Sequence, residues 1–253
     1  MKDRKIRYYS SFSDDFEETA DQNFQLPEDY KWIRRNFISK LLSAVIYSLA
    51  IIFSSVYCKL FLHMKIVGRK KFKHVKGCFI YGNHTQPFGD VFIPALCAFP
   101  KRIYTLVSTA NYGIPFIGKI LPFLGALPIV GTFNGIKELN RAVDTRIETN
   151  HPVVIYPEAH VWEYYTEIRP FPETSFKFPL KSNAPCFAMT STYTKSRFFK
   201  RPKMCVYIDG PFYPEGNTQK EKTAFLHNAV YGAMKKRSLN SNYKYIEYIK
   251  KPL

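Results

Sequence analysis

Cys78-Phe79-Ile80-Tyr81-Gly82-Asn83-His84 is the stretch that decides the fold. Four apolar or aromatic residues stand together, too few for a helix, and Gly-Asn stops them. Such a run reads as a strand buried on both faces, the kind found inside a parallel sheet. Comparable runs recur at Leu62–Val67, Arg102–Val107, Val153–Tyr156, Cys186–Thr190 and Met204–Ile208. Helix-like stretches separate them near Phe92–Ala98, Phe116–Leu124, Asn134–Glu148 and Thr218–Lys236, the last opened by the capping box Thr218-Gln219-Lys220-Glu221. Strands alternating with helices predict an α/β fold with a mostly parallel central sheet flanked by helices.

In open sheets of this kind, residues just beyond the carboxyl end of a strand face the ligand crevice. His84 stands there, released from its strand by Gly82, and Asp90 follows six positions later. A carboxylate beside an imidazole fixes its tautomer and makes it a base for a hydroxyl. The same pair is also compatible with a purely structural histidine at a strand end. Val153-Val154-Ile155-Tyr156-Pro157-Glu158 is a second buried strand, ending in Pro157-Glu158. Gly113–Leu121 leads to Leu124–Ile129 and is apolar and punctuated by Gly and Pro. It reads either as the lining of a hydrophobic slot or as ordinary core.

The chain has 253 residues, 46% of them hydrophobic and 23% charged, which excludes a largely disordered chain, a collagen and a disulfide miniprotein. Its 37 Lys and Arg against 20 Asp and Glu give a net charge of +17, so its partners should be anionic. The charge is uneven. Residues 1–30 hold eight acids and four bases and form an acidic N-terminal arm, and no acid occurs between Asp29 and Asp90. Cys58, Cys78, Cys97, Cys186 and Cys205 are scattered without metal-ligand spacing, so reduced thiols and no structural metal are expected. Nucleic acid is not expected as a partner, because no zinc or RNA-binding motif accompanies the charge.

Leu41–Cys58 is an uncharged apolar run of 18 residues, at the lower edge for spanning a bilayer. Lys31, Arg34, Arg35 and Lys40 precede it, and Lys59, Lys65, Arg69, Lys70, Lys71 and Lys73 follow it. A single span shows its basic bias on one side only. Basic flanks on both sides favour a monotopic segment, with both ends at the anionic cytoplasmic membrane surface, over a single span; the same run is also compatible with a buried core helix. The chain thus divides into the arm at 1–30, a membrane-associating helical segment at 31–61 and a catalytic domain at 62–253.

The order and spacing of these blocks resemble the glycerolipid acyltransferases of the lysophosphatidic acid acyltransferase (PlsC-like) family. The likeness runs from about Leu62 to Tyr213. Gly77–Asp90 resembles the first block, built on Asn-His and a following Asp. Gly113–Val130 resembles the second, and Tyr156-Pro157-Glu158 the third, usually Phe-Pro-Glu-Gly. Ala184–Ala188 resembles the fourth, and Asp209-Gly210-Pro211-Phe212 the closing strand-turn. The resemblance implies transfer of an acyl group from acyl-CoA or acyl carrier protein to a hydroxyl of a lysolipid or glycerol phosphate, in membrane lipid biosynthesis. His84 would be the general base and Asp90 its orienting acid. Asn83, Lys119, Pro157, Glu158, His160 and Lys177 are the expected substrate-binding residues, and no metal or redox cofactor is implied.

Three departures qualify the likeness. The family separates His and Asp by four residues; here there are five, Thr85 to Gly89. On an unbroken helix neither spacing puts the pair on one face, so His84 must lie in the loop before the helix, with Pro87 and Gly89 absorbing the extra residue. The two family arginines associated with the acceptor phosphate are replaced by Gly131 and Val161. Lys119, Lys137, Arg141, His160, Arg169 or Lys177 would have to substitute, or the acceptor is not lysophosphatidic acid. The alternative is a catalytically impaired lipid-binding or scaffolding protein of the same fold.

Overall fold

Valine, isoleucine and aromatic residues stack the strands of one sheet, and the amphipathic segments between them form the helices that cover it. The computed structural model describes residues 5–17 and 23–252. In chain order the elements are β1 (Lys5–Tyr9), α1 (Phe37–Leu60), β2 (Lys65–Val67), β3 (Phe79–Gly82), α2 (Ile93–Ala98), β4 (Tyr104–Ser108), α3 (Ile117–Leu124), β5 (Ala126–Ile129), α4 (Phe133–Glu148), β6 (Val153–Ile155), α5 (Lys177–Ser182), β7 (Cys186–Thr194), β8 (Lys203–Phe212), α6 (Gln219–Ser238) and β9 (Ile246–Lys250).

The main sheet has seven strands in the order β2-β8-β7-β3-β6-β4-β5. Every neighbouring pair is parallel except β7 and β8, so the fold is α/β with a mostly parallel sheet, as the alternation predicts. β3 lies inside the sheet between β7 and β6. Its alternate side chains feed two cores. Ile80 joins Cys58 of α1 and Ile93 and Cys97 of α2 on one face. Phe79 and Tyr81 join Leu139 and Val143 of α4 and Leu226 and Val230 of α6 on the other. The three-layer arrangement leaves the carboxyl ends of β3 and β6 at one open edge, where His84 and Glu158 emerge.

Several boundaries depart from the sequence reading for local reasons. β2 starts at Lys65 rather than Leu62, because His63 takes φ 46° and breaks the extended run. Within the apolar Gly/Pro-punctuated stretch lies a strand, β5. It is the outermost strand of the sheet, the place where Pro128 does not remove a needed ladder donor. β1 and β9 form a separate parallel pair joining the two ends of the chain, from Lys5 opposite Ile246 to Tyr9 opposite Lys250. The capping box of α6 is present: Thr218 Oγ1 accepts from Glu221 N–H and the Glu221 carboxylate accepts from Thr218 N–H.

α1 runs beyond the apolar stretch at both ends. An 18-residue window of it has mean hydropathy 2.0, long and apolar enough to cross a membrane, yet only 11% of that window is buried. One side is fastened to the domain. Ser43 Oγ donates to the Phe123 carbonyl at 2.8 Å, Tyr47 Oη accepts from Ile103 N–H at 3.1 Å, and Cys58 is in the core. The other side presents Leu41, Leu42, Val45, Leu49, Ile52, Phe53, Val56 and Leu60 to the surroundings, at the 3–4-residue spacing of one helix face.

Candidate active site

The loop after β3 is held by its own carboxylate. Residues 87 and 88 make a turn and Gly89–Val91 a short 3-10 turn, which bring Asp90 back over the loop. Asp90 Oδ2 accepts from three donors: His84 Nδ1 at 2.8 Å, Thr85 N–H at 2.8 Å and Gln86 N–H at 2.9 Å. His84 lies in the loop, as the spacing demands, and the fifth intervening residue does not separate the pair. The Asp90 side chain is 2% exposed and that of His84 is 20% exposed. With Nδ1 engaged by a buried carboxylate, Nε2 is the nitrogen left for an incoming proton, and no hydrogen bond to it forms among the described residues.

Gly82 closes β3, and it also makes room for a neighbour. A Cβ there would stand 2.6 Å from the Tyr156 ring and 2.9 Å from Met189 Cε. Its absence lets Tyr156 slide under the loop, where the ring stacks on His84 with centroids 4.4 Å apart and planes at 19°. Tyr156 Oη donates to the Asp90 carbonyl at 2.7 Å. Burial first, and the nearby Asp90 carboxylate second, push the phenol well above its usual range, so it stays a donor. The phenol therefore ties the backbone of Asp90 while its ring fixes the plane of the imidazole.

Asn83 and Glu158 are turned inward. The Asn83 amide donates to the Ser191 carbonyl at 3.0 Å and accepts from Ser191 N–H at 2.8 Å, stitching the loop to β7 as another strand would. The Glu158 carboxylate accepts from His84 N–H at 3.1 Å and Arg169 N–H at 3.0 Å, and pairs with Arg169 Nη2 at 3.1 Å. Both partners of this pair are 1% exposed. Burial raises the carboxyl pKa of Glu158, and the guanidinium and the two N–H donors oppose that rise. Trp162 N–H and Tyr164 N–H donate to the carbonyls of His84 and Thr85, so the chain after Pro157-Glu158 completes the cradle.

The two ends of the chain cover this cradle. Trp162 is fully buried, against Tyr9, Phe12, Phe16 and Tyr248. Its indole N–H donates to the Asp14 carbonyl at 2.8 Å, and Arg169 Nη1 donates to that of Phe12 at 3.2 Å. His160 pairs through Nδ1 with Asp15 at 3.1 Å, and its carbonyl accepts from Arg169 Nη2. Of the cations considered as substitutes for the missing arginines, Arg169 is thus buried in an internal pair and His160 is held by the acidic arm. Lys119 and Lys177 are exposed, on α3 and at the start of α5, and neither bonds to the His84 loop among the described residues. Gly131 is exposed beyond β5, with open space where a side chain would project, and Val161 is half-buried. Trp162 and Tyr193, whose Oη meets Thr85 Oγ1 at 2.7 Å, complete the site with no signal in the sequence; Tyr156 is part of the third block but supports the imidazole, and Arg169, a candidate for the headgroup, is an internal partner of Glu158.

No protein-family model matches this sequence, and no curated protein matches it. Solved structures do match. The crystal structure of the 1-acyl-sn-glycerophosphate (LPA) acyltransferase PlsC from Thermotoga maritima aligns with a TM-score of 0.56 at 13% identity, over 84% of this chain and 86% of that one. At this identity the likeness is one of fold: the chain has an acyltransferase-type α/β fold.

Proposed function

We propose that this chain is a membrane-bound acyltransferase of phospholipid synthesis. It would move a fatty acyl group from a thioester, acyl-CoA or acyl carrier protein, to a hydroxyl of a lysophospholipid or glycerol-phosphate-type acceptor. The observation that carries this reading is the His84 Nδ1–Asp90 Oδ2 hydrogen bond of 2.8 Å, set at the open edge of an acyltransferase-type sheet.

In this mechanism His84 Nε2 takes the proton of the acceptor hydroxyl as its oxygen attacks the thioester carbonyl. Asp90 stabilises the imidazolium that results. Collapse of the tetrahedral intermediate breaks the C–S bond, and the imidazolium returns the proton to the departing thiolate. No metal, redox cofactor or covalent enzyme intermediate is needed for these steps. Asn83 and Glu158 act as positioning residues on this reading, since both bond to the protein itself. Pro157 precedes Glu158 at the strand end and fixes the turn. Lys119, Lys137, Lys177 and, once released from Asp15 and Glu138, His160 and Arg141 are among the cations available to an anionic headgroup.

A monotopic seat on the cytoplasmic face accounts for α1. Both flanks are basic, and one side of the helix is bonded to the domain through Ser43 and Tyr47, with Arg102 Nη2 donating to Ser43 Oγ at 2.7 Å. A helix crossing the whole bilayer would draw Arg102 and its neighbours into hydrocarbon. The apolar stripe facing outward would lie in one leaflet.

The test is thiol release by the purified full chain supplied with acyl-CoA or acyl carrier protein and a panel of lysolipids. His84→Ala should lower turnover by about 10²–10⁴-fold, the usual worth of a positioned base, with an unchanged melting temperature. Undiminished turnover in the folded variant would remove His84 from the mechanism.

A further inference from the structure

The apolar surface of α1 does not end with the helix. The turn joining β7 to β8, with the first residue of β8, runs Lys195-Ser196-Arg197-Phe198-Phe199-Lys200-Arg201-Pro202-Lys203, and no acid occurs between Glu173 and Asp209. Local bonding turns its two rings outward. Ser196 is buried, and its Oγ accepts from the N–H groups of Phe198 and Phe199 at 3.3 and 3.1 Å. Lys195 N–H donates to Asn242 Oδ1 at 3.2 Å, which anchors the base of the turn. Phe198 is left 79% exposed and Phe199 50% exposed. Among the described residues, none of the five cations of the turn forms an ion pair with a carboxylate.

The turn is continuous with the end of α1. The Phe199 ring stacks on His63 with centroids 3.7 Å apart, and Met204 N–H donates to the Leu62 carbonyl at 3.1 Å. Leu60 and Phe61, which finish the apolar stripe, are both more than half exposed. β7 is parallel to β3, so the turn and His84 leave the sheet at the same edge. Two exposed aromatic rings, one with Arg197 over its face at 6.0 Å, set among cations that pair with no carboxylate among the described residues, are poorly suited to water and poorly suited to an uncharged protein partner. They match a surface that is apolar inside and anionic outside.

We propose that the β7–β8 turn is a second membrane contact, which seats Phe198 and Phe199 at the headgroup–acyl boundary of an anionic bilayer while Lys195, Arg197, Lys200, Arg201 and Lys203 meet lipid phosphates. The inference rests on the reading of α1 as a membrane-seated helix and adds a requirement for lipid charge. A single interfacial helix leaves the domain free to roll about the helix axis. A second contact at the edge of the sheet holds the His84 side of the domain against the bilayer, where a lipid hydroxyl would be presented.

The experiment is co-sedimentation of the full chain with phosphatidylcholine vesicles, with and without phosphatidylserine. Melting temperatures confirm that each variant is folded. The wild-type chain should bind the phosphatidylserine vesicles more tightly, and added salt should erode the difference. Phe198→Ser with Phe199→Ser should weaken binding to both kinds of vesicle by about ten-fold or more. Lys195→Glu with Arg197→Glu and Lys200→Glu should cost about ten-fold or more on phosphatidylserine vesicles and little on neutral ones. Wild-type affinity in both variants would overturn the role of the turn and leave α1 as the membrane element. Failure of the unaltered chain to bind either vesicle would overturn the membrane reading of α1 along with it. If the variants keep vesicle binding but lose capture of an acidic acyl carrier protein, the turn belongs to that protein partner and the proposal falls.

Discussion

The loop that carries His84 and the rim where the family keeps its arginines differ in how their polar groups are engaged. Around His84 almost every polar group meets a fixed internal partner. Asp90 Oδ2 takes three donors, Glu158 takes the His84 amide, and Asn83 bridges to Ser191. At the two positions where the resemblance places arginines nothing comparable is engaged: Gly131 faces empty space and Val161 is half-buried, while neighbouring His160 is held by Asp15. A proton-transfer pair tolerates little displacement, so its supports are numerous. Headgroup recognition needs only a few exposed cations, and it can change without touching those supports. On the acyltransferase reading proposed above, the chain would keep the proton-transfer pair and meet a different acceptor headgroup.

The comparison breaks most severely if the buried pair behind the loop is cut. Arg169→Ala leaves the Glu158 carboxylate unpaired in the interior, a change that costs about 3–5 kcal/mol in buried pairs. Losing the guanidinium also drives the carboxyl pKa further up than burial already does. The folded state then favours the protonated acid more than the unfolded state does. The deficit should therefore be largest at neutral pH and shrink as pH falls toward about 4, where unfolded Glu also protonates. Urea denaturation at both pH values measures it, and Glu158→Gln added to Arg169→Ala should recover part of the loss. Equal stability of Arg169→Ala and wild type would mean that the support of the His84 loop lies elsewhere.

A second prediction sharpens the comparison from the rim side. Gly131 lies just beyond β5, the site is exposed, and a Cβ there meets nothing within 4 Å. Gly131→Arg should therefore fold normally and place a guanidinium at the position where the family has one. A charged hydrogen bond of this kind contributes about 1.5–3 kcal/mol, so kcat/KM for lysophosphatidic acid should rise roughly ten-fold or more over that for a neutral monoacylglycerol. The gain should appear mainly in KM, because the headgroup charge is bound alike in ground and transition states. No change in the ratio would show that the headgroup is read away from the second block.

Much of this was legible from residues alone, and the illegible part has a common cause. Strands such as Phe79–Gly82 and Val153–Ile155 announce themselves through continuous apolar runs, and the box at Thr218 marks the start of α6 within the chain. The His84–Asp90 pair was readable because both members lie on one short loop. Arg169 reads as a surface cation until Glu158 and the carbonyls of Phe12 and His160 are seen to surround it. β1 and β9 are five residues each, interrupt their apolar residues with charged ones, and become strands only by meeting across the length of the chain. Contacts that join distant segments through polar groups leave no periodicity to read.

The smallest expected effect tests the third block directly. The resemblance places a glycine where this chain has Ala159, and Ala159 takes φ 63° in the turn after Glu158. An L-residue in the left-handed region is strained by its Cβ against the carbonyl, by roughly 1–2 kcal/mol, and glycine is not. Glycine also gains freedom in the unfolded chain, which offsets part of the relief. Ala159→Gly should therefore raise stability by a net amount on the order of 0.5–1 kcal/mol, against the usual trend in which Ala→Gly destabilises. The turn carries no catalytic side chain, so turnover should be unchanged, and thermal denaturation beside the thiol-release assay measures both. A loss of stability in this variant would mean that the turn after Glu158 is not left-handed. The geometry by which Glu158 reaches the His84 amide would then have to be redrawn, because the chain could not reverse there to bring Arg169 and Trp162 back over the loop.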